Sequence, residues 1–268
     1  MMSLLTSCLT TAQPATSRFA QTSMVWLTAA VGEEFEDRDL SDSVFWGVDL
    51  RKSLFRDANL SHSRFFHVSM SEVSVDGVID RLVVNGVDVT NFVNTNDRWY
   101  PLRNELSPAD EVGVRSTWSR LMAEWEKLYA HVDDLSESVL MQSVNGEWSF
   151  RDTLRHMLFV HDKWFNWPLG NQRTFSPIGL PNTGSQGGAW PGLDLASNPT
   201  YAETLIERRA QTQSFSRFVD NLNLAELPDT SAVLENGDMP TIMCVHAILE
   251  EEFEHLRYAW RDIERADL

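Results

Sequence analysis

Between Phe35 and Val75 the chain keeps a period that neither an ordinary helix nor a strand can make. Phe35, Leu40, Phe45, Leu50, Phe55, Leu60, Phe65, Met70 and Val75 stand five residues apart without a miss. Small or β-branched residues stand two places before them: Ser43, Val48, Ser53, Ala58, Ser63, Val68 and Val73. An α-helix repeats every ~3.6 residues and a strand every second residue, so this spacing demands a solenoid of short stacked repeats. Residues 1–32, rich in Ser, Thr and Ala and without a period, read as a leader or irregular cap. The segment Ile79–Phe92 alternates like a small hairpin with Asn85-Gly86 at its turn, placed to cap the open end of the repeats. Residues 33–97 thus form one part of the chain.

From about residue 98 the period becomes helical. Ser107, Pro108 and Asp110 read as the N-cap, N1 proline and acidic N3 of a first helix running to about Ala130. Its apolar stripe is Trp118, Leu121, Met122, Trp125, Leu128 and Tyr129. Ser149 with Asp152 opens a second helix over Phe150–Trp167, and Thr200 with Glu203 a third from Tyr201 to about Leu222. Pro240 and Thr241 open a fourth. Four long amphipathic helices with no strand expected among them make a four-helix bundle over residues 98–268. Pro168–Pro199, with six glycines and no strong period, is too long for an idle connection. It reads as a lid or site wall, or else as a plain irregular crossover.

Composition narrows the partners. The 268 residues, 43% hydrophobic and 23% charged, are those of a soluble globular protein, and the net charge of -17 comes without Lys/Arg clusters. Nucleic acid and anionic membranes are therefore not expected partners. No apolar run is long enough to span a bilayer. Cys8 and Cys244 lie far apart in dissimilar contexts, which predicts a reducing compartment and a cytoplasmic location. Leu5-Thr6-Ser7-Cys8 has the outline of a lipoprotein box but lacks the basic and apolar residues that should precede it.

The fourth helix carries carboxylates and a histidine where a plain core helix would carry leucine. At about 100° per residue, Val245, Ile248, Leu249, Phe253, Leu256, Ala259 and Trp260 share one apolar face. Glu251 and His255 sit at its border one turn apart, where two side chains of one helix can grip one ion. Such pairs are also common on solvated helix edges. Helix two offers His161, well inside its apolar face, and His156 at the border, and placement alone does not choose between them.

Two resemblances sharpen this. The five-residue spacing resembles that of pentapeptide-repeat proteins, which implies a short right-handed quadrilateral β-helix of about two coils. Glu147-Trp148-Ser149-Phe150-Arg151-Asp152-Thr153-Leu154-Arg155-His156 is similar to the second-helix signature of the DinB-like metal-binding family, in which the histidine eight positions after the Trp is the first metal ligand. By that resemblance His156 is the first ligand and His255 the last. The remaining ligand, usually a histidine in the family, falls on Glu251, which can ligate zinc, nickel or iron through oxygen. EEFEHLRYAWRDI and RLVVNGVDVT also resemble the last helix and connector of actinobacterial proteins that join pentapeptide repeats to such a bundle.

The expected fold class is therefore α+β in two parts, with the DinB-like four-helix bundle following the β-helix. The expected metal site is His156, Glu251 and His255, holding a divalent transition metal with a fourth position open. His161 and Glu252 stand nearby as supporting or substitute ligands, Asp152 as an orienting group or a plain cap, and Cys244 as a buried thiol or remote candidate. The resemblance implies a metal-dependent thiol transferase or hydrolase acting on a small molecule, with a low-molecular-weight thiol such as mycothiol as co-substrate. The alternative is a non-enzymatic scaffold that assembles, as a homodimer for instance, through its repeats. Hydrolase and phosphate-binding glycine motifs are absent, and catalytic residues beyond the metal site are unassigned.

Overall fold

In a computed structural model, residues 32–35, 38–55, 58–144, 146–185 and 187–266 are described, and the chain divides into two units after Ser71. The expected leader over residues 1–32 lies outside the described residues, Gly32 excepted.

In the first unit a tight turn recurs every ten residues. Ser43, Ser53 and Ser63 donate their N–H groups to the carbonyls of Leu40, Leu50 and Leu60 at 3.2, 3.1 and 3.1 Å. The third residues of these turns, Asp42, Lys52 and His62, have φ of 59°, 65° and 63°, as a type II turn requires. Asp39, Asp49 and Asn59, one place before each leucine, accept the N–H two residues on at 2.9, 3.1 and 3.0 Å. These Asx turns hold each corner locally. Between them Gly47 and His67 also take positive φ, 64° and 54°. The sequence repeats every five residues, whereas among the described residues the hydrogen-bonded turns stand ten apart. No strand occurs among the described residues of this unit.

The second unit opens with the expected hairpin: β1 (Val83–Val84) pairs antiparallel with β2 (Val87–Asp88). Asn85 and Gly86, at φ 50° and 82°, make its turn. Short helices α1 (Thr90–Asn96) and α2 (Tyr100–Arg103) lead to α3 (Glu111–Val132). The α3 N-cap is Asp110 and not Ser107: its carboxylate accepts the Gly113 N–H at 2.7 Å. Pro108 lies outside the helix, and its carbonyl meets His246 Nε2 at 2.9 Å. Gly113 is needed there, since a Cβ would stand 2.7 Å from the Pro108 side chain.

After the short α4 (Glu137–Leu140), α5 (Phe150–His161) is capped by Ser149, whose Oγ accepts the Asp152 N–H at 3.1 Å. The expected run to Trp167 changes its winding at Asp162. Residues Asp162–Asn166 form a π turn in which Trp167 N–H reaches the Asp162 carbonyl at 2.9 Å. α6 (Tyr201–Asp220) begins with a full capping box of Thr200 and Glu203. A hairpin not foreseen in the sequence then intervenes, β3 (Thr230–Val233) with β4 (Gly237–Pro240), before α7 (Thr241–Ala266).

α3, α5, α6 and α7 form the bundle, α5 and α3 each lying against both α6 and α7. One core layer joins Trp118, Leu121, Phe215, Ile248 and Phe253, and the next Trp125, Leu128, Leu154, Met157 and Leu256. The six expected apolar residues of α7 from Val245 to Ala259 are buried, and Trp260 is half-buried at the border. Eleven of the twelve α5 residues are buried, more than one face of a bundle helix can account for. The crossover of residues 168–199 supplies the second cover. Its Phe175 and Trp190 pack on Phe159 with ring centroids 5.5 and 4.8 Å away. Among the described residues, no helix is long and apolar enough to cross a membrane.

Candidate metal centre

The helical registers of α5 and α7 bring three side chains to one point. His156, Glu251 and His255 each offer a ligand atom, and these atoms lie within 4.8 Å of one another. Glu251 Oε2 stands 3.2 Å from His255 Nε2 and 3.7 Å from His156 Nε2. The His156 and His255 rings are 4.7 Å apart between centroids. Trp148, just before the α5 cap, lies over both rings at 4.5 and 5.9 Å. His156 is buried, His255 partly so, and Glu251 is 37% exposed, so the cluster opens to solvent on the carboxylate side.

The second ring nitrogen of His156 is also fixed. Nδ1–H donates to the Leu180 carbonyl at 2.9 Å, which leaves Nε2 as the unprotonated atom facing Glu251. A ligating histidine is usually oriented this way, through its other nitrogen. Burial lowers the pKa of His156 against the pull of Glu251, favouring the neutral imidazole. Burial opposes the charge on Glu251, yet with no ion bound its carboxyl is held well below the usual range whenever the two histidines turn protonated nitrogens toward it. A neutral imidazole beside an ionised carboxylate is the protonation state a divalent cation needs. Two histidines and one carboxylate are a donor set used by zinc hydrolases and by non-haem iron sites, both with open positions.

A family model described as the DinB superfamily matches residues 120–259, just over half of the chain. The chain belongs to the DinB superfamily. A second model, for pentapeptide repeats, matches residues 36–72 in eight copies. Comparison with curated proteins and with solved structures gives no significant match. The DinB match covers α5 and the part of α7 that carry His156, Glu251 and His255.

Other residues singled out in the sequence do not join this DinB cluster. His161 and Glu252 turn into the bundle and meet each other, Nε2 to Oε1 at 2.6 Å, with Arg208 of α6 paired to the same carboxylate. All three are essentially without solvent exposure. The His161 ring packs on Phe215 at 5.3 Å. These residues form a separate buried ion network. Asp152 is a cap and a clamp: it accepts from Ser149 Oγ at 2.8 Å and from Arg151 and Arg155, while the carbonyl of Leu180 orients His156. Cys244 is a fully buried thiol whose pKa burial pushes up to about 11, the inert kind.

Sequence reasoning missed Leu180 and Arg208 as parts of this region, and used Trp148 only as the start of the family signature. Trp148 had a signal in its place ahead of the Ser149 cap. Leu180 acts through its backbone and had none.

Proposed function

We propose that this chain is a metal-binding protein in which His156 Nε2, a Glu251 carboxylate oxygen and His255 Nε2 hold one divalent transition ion. The observation that carries the reading is the convergence of three ligand atoms within 4.8 Å on a histidine whose other nitrogen is fixed by Leu180. Zinc, nickel and iron are the candidates. Three protein donors leave a position open, and an ion bound there lowers the pKa of a water or thiol toward neutrality. By resemblance to the family, the reaction class proposed is thiol transfer or hydrolysis on a small molecule, with a low-molecular-weight thiol as co-substrate. In this reading Trp148 walls the histidine side, and Glu251 faces the solvent from which the substrate arrives. Metal analysis of the purified parent should find about one ion per chain, and His156→Ala and His255→Ala should each lose most of it. A metal-free parent, or variants as loaded as the parent, would refute the assignment.

A second reading is supported by the exposed apolar residues of the repeat unit. Phe45, Phe55 and Phe65 are 58–60% exposed, and Trp46 and Phe66 are 91% and 74% exposed, more apolar surface than a soluble monomer ordinarily shows. In this reading the repeats wind as a two-coil quadrilateral β-helix and join two copies of the chain. Removing residues 1–71 should then convert a dimer to a monomer by light scattering, and an unchanged mass would reject the role.

A further inference from the structure

The crossover of residues 168–199 does more than cover α5, because one stretch of it is tied to the ligand-bearing turn by three separate bonds. Arg155 Nε donates to the Ile178 carbonyl at 2.9 Å. The Arg155 carbonyl accepts the Leu180 N–H at 3.0 Å. The Leu180 carbonyl, in turn, is the group that accepts His156 Nδ1–H at 2.9 Å. The remaining Arg155 nitrogens reach the Ser197 carbonyl at 2.9 Å and Asp152 Oδ1 at 3.2 Å. The residue is 95% buried and touches none of the three candidate ligand side chains through these bonds.

We propose that Arg155 is a positioning residue of the metal centre, acting through Leu180, and that loop docking and ion binding are coupled; this rests on the metal reading above. An imidazole without a partner on Nδ1 is free to rotate and to carry its proton on Nε2, where it cannot ligate. The Leu180 carbonyl removes both freedoms. Its own position is set by two ties to α5: the backbone bond from Leu180 N–H to the Arg155 carbonyl, and the Arg155 side chain, whose Nε holds the Ile178 carbonyl two residues before. Coupling of this kind is reciprocal: the factor by which a docked loop tightens the ion is the factor by which the ion holds the loop down. The crossover is thus the element that responds to loading of the site.

Arg151 provides the control. It sits one turn earlier on α5, is buried too, and also clamps the crossover, but at Asn198 Oδ1 and the Pro199 carbonyl; it shares Asp152 Oδ1 with Arg155 but bonds to neither Ile178 nor Leu180. The experiment uses the full-length chain, zinc in competition with a chromophoric chelator, and cobalt absorption as a report of ligand geometry. Arg155→Ala should weaken zinc binding by ~10- to 100-fold, the range seen when a group orienting a ligand is removed, and alter the cobalt spectrum. Arg155→Lys, which can restore one of the bonds, should recover part of the affinity. Arg151→Ala should lower the melting temperature but leave affinity and spectrum as in the parent. Amide hydrogen exchange at Leu180 should slow on adding zinc to the parent and not in Arg155→Ala. If Arg155→Ala and Arg151→Ala change zinc affinity alike, or neither changes it, the positioning role is refuted while the metal centre stands. A parent that takes up no zinc or cobalt overturns both.

Discussion

Adjacent residues on α7 serve two different environments. Glu251 faces the opening beside His156 and His255, whereas Glu252 is sealed in the core with His161 and Arg208. Their substitution should separate accordingly. Glu251→Gln keeps the shape and removes the charge; zinc affinity should fall at least ~10-fold, since even a group behind the ligands costs that much, with little change in unfolding free energy. Glu252→Gln leaves the Arg208 guanidinium buried without its counter-charge, which should cost about 3–5 kcal/mol in urea unfolding. Asp162 gives a third test. Burial pushes its pKa from 3.8 up to about 6, against the bonds from Ser176, Asn166 and Gln211. Because the folded chain holds this proton more tightly than the unfolded one, its contribution is complete below about pH 4 and is lost as pH rises through about 6. The Asp162 contribution should therefore fall by on the order of 3 kcal/mol across that window, read as the difference between the parent and Asp162→Asn. Asp162→Asn should lack the drop when the two are unfolded in urea at matched pH values.

The helices show what could be read before the structure and what could not. α5 and α6 begin where Ser149 with Asp152 and Thr200 with Glu203 predict, because a cap is a local signal satisfied within one turn. Ser149→Ala should cost about 1 kcal/mol by thermal unfolding. The α3 start was three residues off because Pro108 mimics an N1 proline while Asp110 makes the bond. β3 and β4 escaped because their strands are four residues long and too short to show a sustained apolar alternation, though Asn236-Gly237 was there to be read. The buried network escaped for a deeper reason. Of the buried α6 residues Thr204, Arg208, Gln211, Phe215 and Val219, three are polar, so a rule that equates buried with apolar assigns Arg208 to solvent. The choice of His156 over His161 was likewise not available from helix periodicity, since both are buried. It came from the family motif, and the geometry gives it a cause: only His156 faces α7 where Glu251 and His255 stand. The crossover's bonds to α5 run through backbone carbonyls, which no residue type announces.

At the scale of the whole chain, an ion that binds only the folded second unit should stabilise it by mass action. With free zinc at ~100 times its dissociation constant the gain is about 2.7 kcal/mol, or roughly 5–10 °C for a unit of this size. A strong chelator should reverse that shift in the parent and do nothing to His156→Ala, as read by scanning calorimetry. The first unit follows another logic. Its side-chain pattern returns every five residues, but among the described residues the hydrogen-bonded turns, each with Asp39, Asp49 or Asn59 before it, stand ten apart. Growth or loss of this unit through gene duplication is therefore quantised at ten residues. A change of five would keep every Leu and Phe in step while putting a bend where a closed turn belongs, so lineages that vary its length should do so in even numbers of repeats.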